Sequence, residues 1–141
     1  MAALSGCAIR QKSSAGEPNS ISRIAFGSCI DQSKPQPIWR AINASKPDLF
    51  IFGGDNVYAS EQPWRLEKLQ NAYAQLAQNT GFTQLLSATP LQAIWDDHDY
   101  GLNDGGADFP HKQASKEEFL KFWNLATDDP RRSREGLYHS V

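Results

Sequence analysis

The feature that most constrains the fold of this chain is a short, wholly apolar segment, Leu49–Phe52, which two glycines close. A strand without polar alternation is typical of a parallel sheet whose two faces are both buried. Segments typical of strands also occur at Arg23–Phe26 and Leu91–Trp95, and helical patterns separate the three. This alternation predicts an α/β architecture with a mainly parallel sheet.

Apolar residues at helical spacing predict one helix around Ile38–Ile42 and another over Trp64–Asn79. Residues 96–111 contain three glycines and five aspartates without a lysine or arginine, and we predict a loop there. A capping-box pattern predicts that a further helix begins at Ser115. Leu137–Val141 is predicted to start another strand. Because the sequence stops inside that strand, we expect the chain to be the N-terminal part of a longer domain.

The composition excludes several classes of protein. Hydrophobic residues make up 40% of the 141 residues and charged residues 21%, which is typical of a globular domain rather than a disordered tail. The 14 Lys and Arg residues against 16 Asp and Glu residues give a net charge of −2, so nucleic-acid binding is not expected as the primary function. Two cysteines are too few for a disulfide scaffold.

Residues 1–22 are predicted to be a leader or linker ahead of a domain that spans residues 23–141. Leu4–Cys7 has the form of a bacterial lipobox, in which the cysteine, here Cys7, is acylated. The apolar part of an export signal does not precede it in this sequence, so the pattern is either the remnant of a signal or a chance match. The first alternative predicts an exported, periplasmic or membrane-anchored lipoprotein, and the second predicts an unstructured leader.

Acidic and sulfur-containing side chains follow the three predicted strands. Cys29 comes after the first strand, Asp55 after the second, and the segment Asp96–Asp99 after the third. Because parallel strands end at the same edge of a sheet, we expect these side chains to converge there. Crowded carboxylates repel each other unless a cation neutralises them, so a metal site is predicted. Asp55 is the natural bridge between two metal ions about 3.5–4 Å apart, an arrangement suited to displacement at phosphorus.

Three ordered motifs in the sequence resemble a known family. They are Phe26–Cys29 (FGSC), Gly54–Tyr58 (GDNVY) and Trp95–Asp99 (WDDHD), and Arg132–Tyr138 resembles a segment that precedes a later strand of the same family. These motifs are similar to those of the alkaline phosphatase D (PhoD-like) family of metallophosphatases. The resemblance implies a calcineurin-like αββα sandwich, of which this chain would be the N-terminal half, and hydrolysis of phosphate mono- or diesters.

The resemblance also implies roles for the matching residues. Cys29 and Tyr58 would bind a first metal ion, expected to be Fe³⁺, and Asp55 would bridge it to a second ion, expected to be Ca²⁺. Asp97 would be a ligand of the second ion. His98 would be the catalytic histidine, which contacts the substrate phosphate or protonates the leaving group.

Residues around this centre are implied in the same way. Asn56 and Asp96 would lie near the substrate or behind the metal ligands, and Asn103 would help at the phosphate or the second metal ion. The family's remaining Asp and His ligands come from a C-terminal half, which would begin after Val141. The chain would therefore hold half of a site, with a phosphate ester as substrate and the rest of the domain as its partner.

Each of these residues also has an alternative role in folding. Cys29 would be a small buried hydrophobic residue, Asp55 a turn residue, Tyr58 a packed aromatic and His98 an exposed side chain. Asp96 is expected to orient its loop through backbone hydrogen bonds rather than to touch metal. Two other functions remain open: a thiol hydrolase with Cys29 as nucleophile and His98 as base, or a non-catalytic lipoprotein or interaction fragment.

Overall fold

A computed structural model describes residues 20–140 and contains a parallel sheet at its centre. The strands are β1 (Ile24–Gly27), β2 (Leu49–Gly53) and β3 (Leu91–Ile94), and they lie in the order β1-β2-β3. The register pairs Phe26 with Ile51 and Phe52 with Ala93. The prediction of an α/β fold with a parallel sheet is therefore confirmed, and all three strands end at one edge.

Helical segments connect and follow the strands. Within residues 20–140 they are α1 (Ile38–Ser45), α2 (Leu66–Gln78), α3 (Thr80–Ala88), α4 (Asp97–Tyr100), α5 (Lys112–Phe122) and a short 3-10 helix (Pro130–Arg132). None of these described helices combines the length and the apolar character that crossing a membrane requires. Cys7, the predicted acylation site, lies outside the described residues.

One face of the sheet carries the hydrophobic core. Phe50 and Phe52 of β2 are almost completely buried there, and Trp39 of α1 packs against both rings. Phe82 of α3 and Phe119 of α5 close the same core from the helical side. Burial of such large aromatic side chains supplies most of the hydrophobic stabilisation that a domain of this size has available.

The opposite face of the sheet, which we call the open sheet face, consists of Ile24, Phe26, Ile51 and Ile94. Phe26 is 83% exposed, Ile24 54% and Ile94 38%, and Ile51 is partly buried. Nothing within residues 20–140 packs over Phe26. Strand β2 is therefore buried at Phe50 and Phe52 on the core side and at Leu49 on the other side, where Ile51 is partly buried, and the exposed apolar side chains belong to β1 and β3.

Three sequence predictions about single elements are wrong. Residues 96–111 are not all loop, because α4 forms at their start. Helix α5 begins at Lys112, so Ser115 lies inside it, where the buried hydroxyl donates to the carbonyl of Tyr100 at 2.7 Å instead of capping the helix. Residues 137–140 form no strand: the side chain of His139 bonds to that of Gln92 at 2.7 Å, and no backbone ladder forms.

Candidate metal centre

The turn after β2 places Asp55 at the edge of the sheet. Gly54 has φ +104°, and a Cβ atom there would lie 2.7 Å from the Cβ atom of Asp96. Only glycine fits at this point, because it accepts the left-handed conformation and leaves room for the neighbouring segment. The end of β2 and the end of β3 therefore approach each other closely enough for their side chains to share a site.

Two non-glycine residues at this edge have left-handed backbone conformations, with φ +61° at Cys29 and +49° at Asp55. Their segments are tied together, since the amide of Cys29 donates to the carbonyl of Gly54 at 3.3 Å and that of Ile30 to the carbonyl of Asp55 at 3.0 Å. Strained conformations of this kind cost on the order of 1–3 kcal/mol each and cluster at functional sites. Their position marks the ends of β1 and β2 as a candidate site.

Helix α4 presents Asp97 and His98 to the same edge. The side chain of Asp96 accepts from the backbone amide of Asp99, and the side chain of Asp99 accepts from the amide of Asp96 at 3.0 Å. These reciprocal bonds form a capping box, which stabilises a helix of only four residues, and the side chain of Asp96 also accepts from the amide of Asp97 at 3.0 Å. The predicted role of Asp96, orienting its segment through backbone hydrogen bonds, is confirmed.

Asp99 anchors α4 to the segment that follows Asp55, a role that sequence reasoning missed. It is 1% exposed and accepts from the amides of Asn56 and Val57 at 3.1–3.2 Å and from the hydroxyl of Tyr73 at 3.3 Å. Burial raises the pKa of this carboxyl to about 7, although the hydrogen bonds favour its charged form. Its three-residue spacing from Asp96 is typical of a capping box, but no sequence pattern indicates its bonds to Asn56, Val57 and Tyr73.

Asp55, Asp97 and His98 form a cluster in which one ligand atom of each lies within 4.8 Å of the others. Of the side chains predicted to converge, Asp55, Asp97 and His98 form this cluster, and Cys29 is not part of it. Asp55 is 8% exposed, and its Oδ1 atom is buried without a hydrogen-bond partner among the described residues. A buried, unpartnered carboxylate oxygen is costly unless a cation neutralises it, so these residues fit a metal ion.

Tyr58 lies against the cluster. Its hydroxyl donates to Oδ2 of Asp55 at 3.1 Å, and its ring lies over that of His98 with 4.1 Å between the ring centres. Burial, followed by the negative charge of Asp55 and the hydrogen bond to Cys29, raises the pKa of the Tyr58 phenol well above its ordinary value. Without a cation the phenol is therefore a hydrogen-bond donor to Asp55 rather than a phenolate.

His98 contacts a residue that sequence reasoning did not single out. Its Nδ1 atom lies 2.8 Å from the hydroxyl oxygen of Ser60, five positions after Asp55 in the sequence. The other ring nitrogen, Nε2, makes no hydrogen bond within residues 20–140. A serine five residues after an aspartate forms no recognisable sequence pattern, so the contact is seen only in the folded structure.

Cys29 lies beside the cluster rather than in it. Its thiol is exposed, which contradicts the alternative of a buried hydrophobic residue, and its sulfur lies 3.4 Å from the hydroxyl of Ser28. Cys29 and Tyr58 line a common cavity, and the Tyr58 hydroxyl donates to Asp55. No hydrogen bond joins Cys29 to His98 in the described part of the chain, so the nucleophile–base contact of a thiol hydrolase is not present.

Two further predicted residues stay outside the cluster. Asn56 is fully buried, and the amide group of its side chain donates to the carbonyl of Ile94 at 2.8 Å and to the carboxylate of Asp99 at 2.9 Å. These bonds hold the segments that follow β2 and β3 together. Asn103 is exposed and donates to the side chain of Asp104 at 2.6 Å. A role for either residue at a substrate stays a prediction.

Two cavities open beside the cluster, and both touch Tyr58. One of about 640 Å³ is lined by Tyr58, Ser60 and the polar face of α2, including Asn71 and Gln75. The other, of about 430 Å³, is lined by Cys29 and Tyr58 together with residues 30–38 in part. Both cavities therefore reach the neighbours of the cluster, Tyr58 with Ser60 or Cys29, whereas Asp55, Asp97 and His98 line neither of them.

Comparisons of the chain with protein-family models, with curated proteins and with solved structures give no match. The donor set itself then carries the functional argument. Two carboxylates, one imidazole and an adjacent phenol suit hard or borderline cations such as Mn²⁺, Fe²⁺, Fe³⁺ and Zn²⁺.

Proposed function

We propose that this chain is part of a metal-dependent phosphoric ester hydrolase of the alkaline phosphatase D type. The observation that carries the proposal is the buried, unpartnered Oδ1 atom of Asp55, which belongs to a cluster with Asp97 and His98. A cation bound by the cluster would neutralise this oxygen and offset the cost of burying it. The motif resemblance then supplies the reaction, hydrolysis of a phosphate mono- or diester.

In this proposal the residues of the cluster divide the work. Cys29 and Tyr58 would hold the first ion, expected to be Fe³⁺, and Asp97 would hold the second, expected to be Ca²⁺. Asp55 would be a ligand of both ions. Bound metal ions supply Lewis acidity and an activated water molecule. A ring nitrogen of His98 lies within 4.8 Å of a carboxylate oxygen of Asp55 and of Asp97. His98 would therefore contact a metal ion bound there or a phosphate bound to that ion.

The cavity of about 640 Å³ receives the alcohol part of the ester, because it shares Tyr58 and Ser60 with the surroundings of the cluster. Its lining is mainly polar, with carboxamides on α2 that are free to bond to hydroxyl groups. The site therefore favours esters of polar alcohols over those of purely apolar ones.

The finer fold that belongs to this proposal is the αββα sandwich of the calcineurin-like phosphatases. Its support is the open sheet face, where Ile24, Phe26 and Ile94 are exposed without a cover from residues 20–140. A second sheet on this face would bury these side chains and bring further ligands to the metal ions. The rest of the domain is thus the partner that this proposal requires.

The location of the protein is part of the same proposal. Export and acylation at Cys7 would place the hydrolase at a membrane or in the periplasm, where it would meet esters outside the cell. Mass spectrometry of the native N-terminus tests this, because an unmodified Cys7 in a soluble fraction contradicts the anchor.

The proposal is tested first through Asp55. We expect Asp55→Asn to weaken Mn²⁺ binding by more than about tenfold, because the variant keeps the shape but loses the charge that holds the ion. The free energy of unfolding without metal should not fall, since the substitution removes a buried carboxylate with an unpartnered oxygen. Calorimetric titration with Mn²⁺ and urea unfolding measure the two effects.

Asp128→Asn is the matched control, because Asp128 is an exposed carboxylate in the loop after α5. Equal Mn²⁺ affinity in the two variants would overturn the metal centre. Hydrolysis is assayed with a chromogenic phosphomonoester and a phosphodiester, with iron and calcium added. We expect little turnover from this chain alone and robust turnover, sensitive to Asp55→Asn, when the rest of the domain is present.

A further inference from the structure

We propose that Ser60 is a positioning residue for His98: it accepts a hydrogen bond from Nδ1–H and so keeps the lone pair on Nε2, which has no hydrogen-bond partner within residues 20–140, available to a ligand of the cluster. This inference rests on the proposed function, because it concerns how the centre is assembled. It does not depend on the identity of the metal ion or of the ester.

The geometry restrains the imidazole ring in two ways. The Ser60 hydroxyl oxygen lies 2.8 Å from Nδ1, which holds one edge of the ring. The Tyr58 ring lies over the imidazole with 4.1 Å between ring centres and 32° between planes, which holds its face. A ring held at one edge and one face has little freedom to rotate, so its remaining nitrogen keeps a fixed direction.

The backbone that carries Ser60 is itself fixed. The side chain of Gln32 accepts from the amide of Tyr58 at 2.8 Å and donates to its carbonyl at 2.9 Å. Ala59 is buried, and the carbonyl of Asp55 accepts from the amide of Ile30 in the turn after β1. The segment from Asp55 to Ser60 therefore delivers a carboxylate, a phenol and a hydroxyl to one site as a rigid unit.

The hydrogen bond to Ser60 determines which ring nitrogen of His98 has a lone pair available for a ligand. A neutral imidazole has one N–H group and one lone pair, so a proton on Nδ1 leaves the lone pair on Nε2. Histidines that bind metal ions commonly donate their other N–H to an oxygen, and loss of that partner typically costs about 10–100-fold in affinity. Free histidine favours the opposite tautomer, with the proton on Nε2, so the arrangement needs a specific acceptor, and Ser60 provides it.

The tautomer of the neutral imidazole is measured directly by long-range ¹H–¹⁵N NMR of His98 in this chain without metal. We expect the Nδ1–H form in the wild type and a shift towards Nε2–H in Ser60→Ala. Ser60→Thr, which keeps the hydroxyl, should restore the wild-type form. Ser87→Ala is the matched control, because Ser87 is an exposed serine that bonds only within its own helix.

The second measurement is the affinity for Mn²⁺ in the presence of inorganic phosphate, followed by electron paramagnetic resonance of the free ion. Mn²⁺ suits the carboxylates and the imidazole and has little preference for the thiolate of Cys29. We expect Ser60→Ala to weaken binding by about tenfold and Ser60→Thr by much less. Amide NMR spectra of each variant show whether the fold is intact.

A wild-type His98 in the Nε2–H form would overturn the inference, as would a Ser60→Ala variant with unchanged tautomer and unchanged affinity. Loss of affinity that Ser60→Thr does not restore would assign Ser60 a purely structural role and also contradict the inference. Absence of Mn²⁺ binding to the wild type would overturn the proposed function instead. The tautomer measurement without metal still decides the Ser60 hydrogen bond in that case.

Discussion

Backbone conformation at single residues decides where the side chains of the candidate site lie. Asp55 and Cys29 both have positive φ angles, although neither is glycine, and Gly54 between the two strand ends has φ +104°. The hydrogen bonds that link the two turns offset the conformational free energy that these backbone angles cost. A site held by such local strain is sensitive to small substitutions that leave every proposed ligand in place.

Gly54→Ala tests this sensitivity. We expect a loss of about 2 kcal/mol or more in the free energy of unfolding, because alanine is strained at this φ and its Cβ atom meets that of Asp96. Mn²⁺ binding should weaken as well, since the contact separates Asp55 from α4. Urea unfolding and calorimetric titration measure both.

Gly106→Ala is the matched control, because the nearest atom to a Cβ there is a side-chain oxygen of Asp108 at 3.5 Å and φ lies outside the left-handed region. This variant should lie within about 0.5 kcal/mol of the wild type. If Gly54→Ala is equally harmless, the close approach of the two segments is not needed for stability.

The sequence predicts some residues of the site and misses others for a physical reason. Asp55, Asp97 and His98 lie shortly after the ends of β2 and β3, and parallel strands fix the edge of the sheet at which the following segments emerge. Ser60 and Asp99 act through hydrogen bonds between segments that are far apart in sequence. Such bonds depend on loop conformation, which hydrophobic periodicity does not encode.

At the scale of elements, helix α4 is another feature that the sequence pattern does not predict. A helix of four residues is too short to be stable by itself, and its acidic, glycine-rich surroundings indicate a loop. Asp96 and Asp99 have capping-box spacing, but so do Ser115 and Glu118, which form no capping box. Contact with the rest of the fold decides between the two: Asp99 binds the segment after β2, whereas Ser115 binds the carbonyl of Tyr100.

The short 3-10 helix provides a prediction about pH. The Asp129 side chain accepts from Nε and Nη2 of Arg131 at 2.8 and 2.6 Å and from its amide at 2.9 Å. These bonds hold the pKa of the Asp129 carboxyl well below its usual range. A lowered folded-state pKa stabilises the fold above the unfolded-state pKa of about 4, and this contribution is lost as the pH falls further.

We therefore expect Asp129→Asn to reduce the free energy of unfolding at pH 6 by about 1–3 kcal/mol, because the buried guanidinium of Arg131 loses its charged partner. The difference from the wild type should shrink towards about pH 2, where the carboxyl of the unfolded wild-type chain is protonated. Urea unfolding at several pH values measures it. Asp128→Asn, which changes the neighbouring exposed carboxylate, should leave the free energy of unfolding unchanged at each pH. If the difference between Asp129→Asn and the wild type does not vary with pH, ionisation of Asp129 is not its cause.

At the scale of the whole molecule, the sheet is asymmetric. Phe52 points to the helices and is completely buried, whereas Phe26 points to the opposite side and is 83% exposed. The sequence predicted both strands but not this difference, because both are apolar and periodicity does not state which face is covered. Exposed apolar patches of this kind mark interaction surfaces or lead to self-association.

The two phenylalanines therefore make a matched pair for the last prediction. We expect Phe26→Ser to change the free energy of unfolding by less than about 0.5 kcal/mol, because the ring has few contacts to lose. It should also lower the binding of a hydrophobic dye and the apparent mass at high protein concentration, since it removes the largest side chain of the open sheet face.

Phe52→Ser should lower the free energy of unfolding by about 3 kcal/mol or more, because it leaves a cavity in the core and adds a hydroxyl there. Urea unfolding, dye fluorescence and sedimentation velocity separate the two effects. A strongly destabilised Phe26→Ser variant would mean that this side chain is covered in solution, and unchanged dye binding and mass would show that the open sheet face does not drive association.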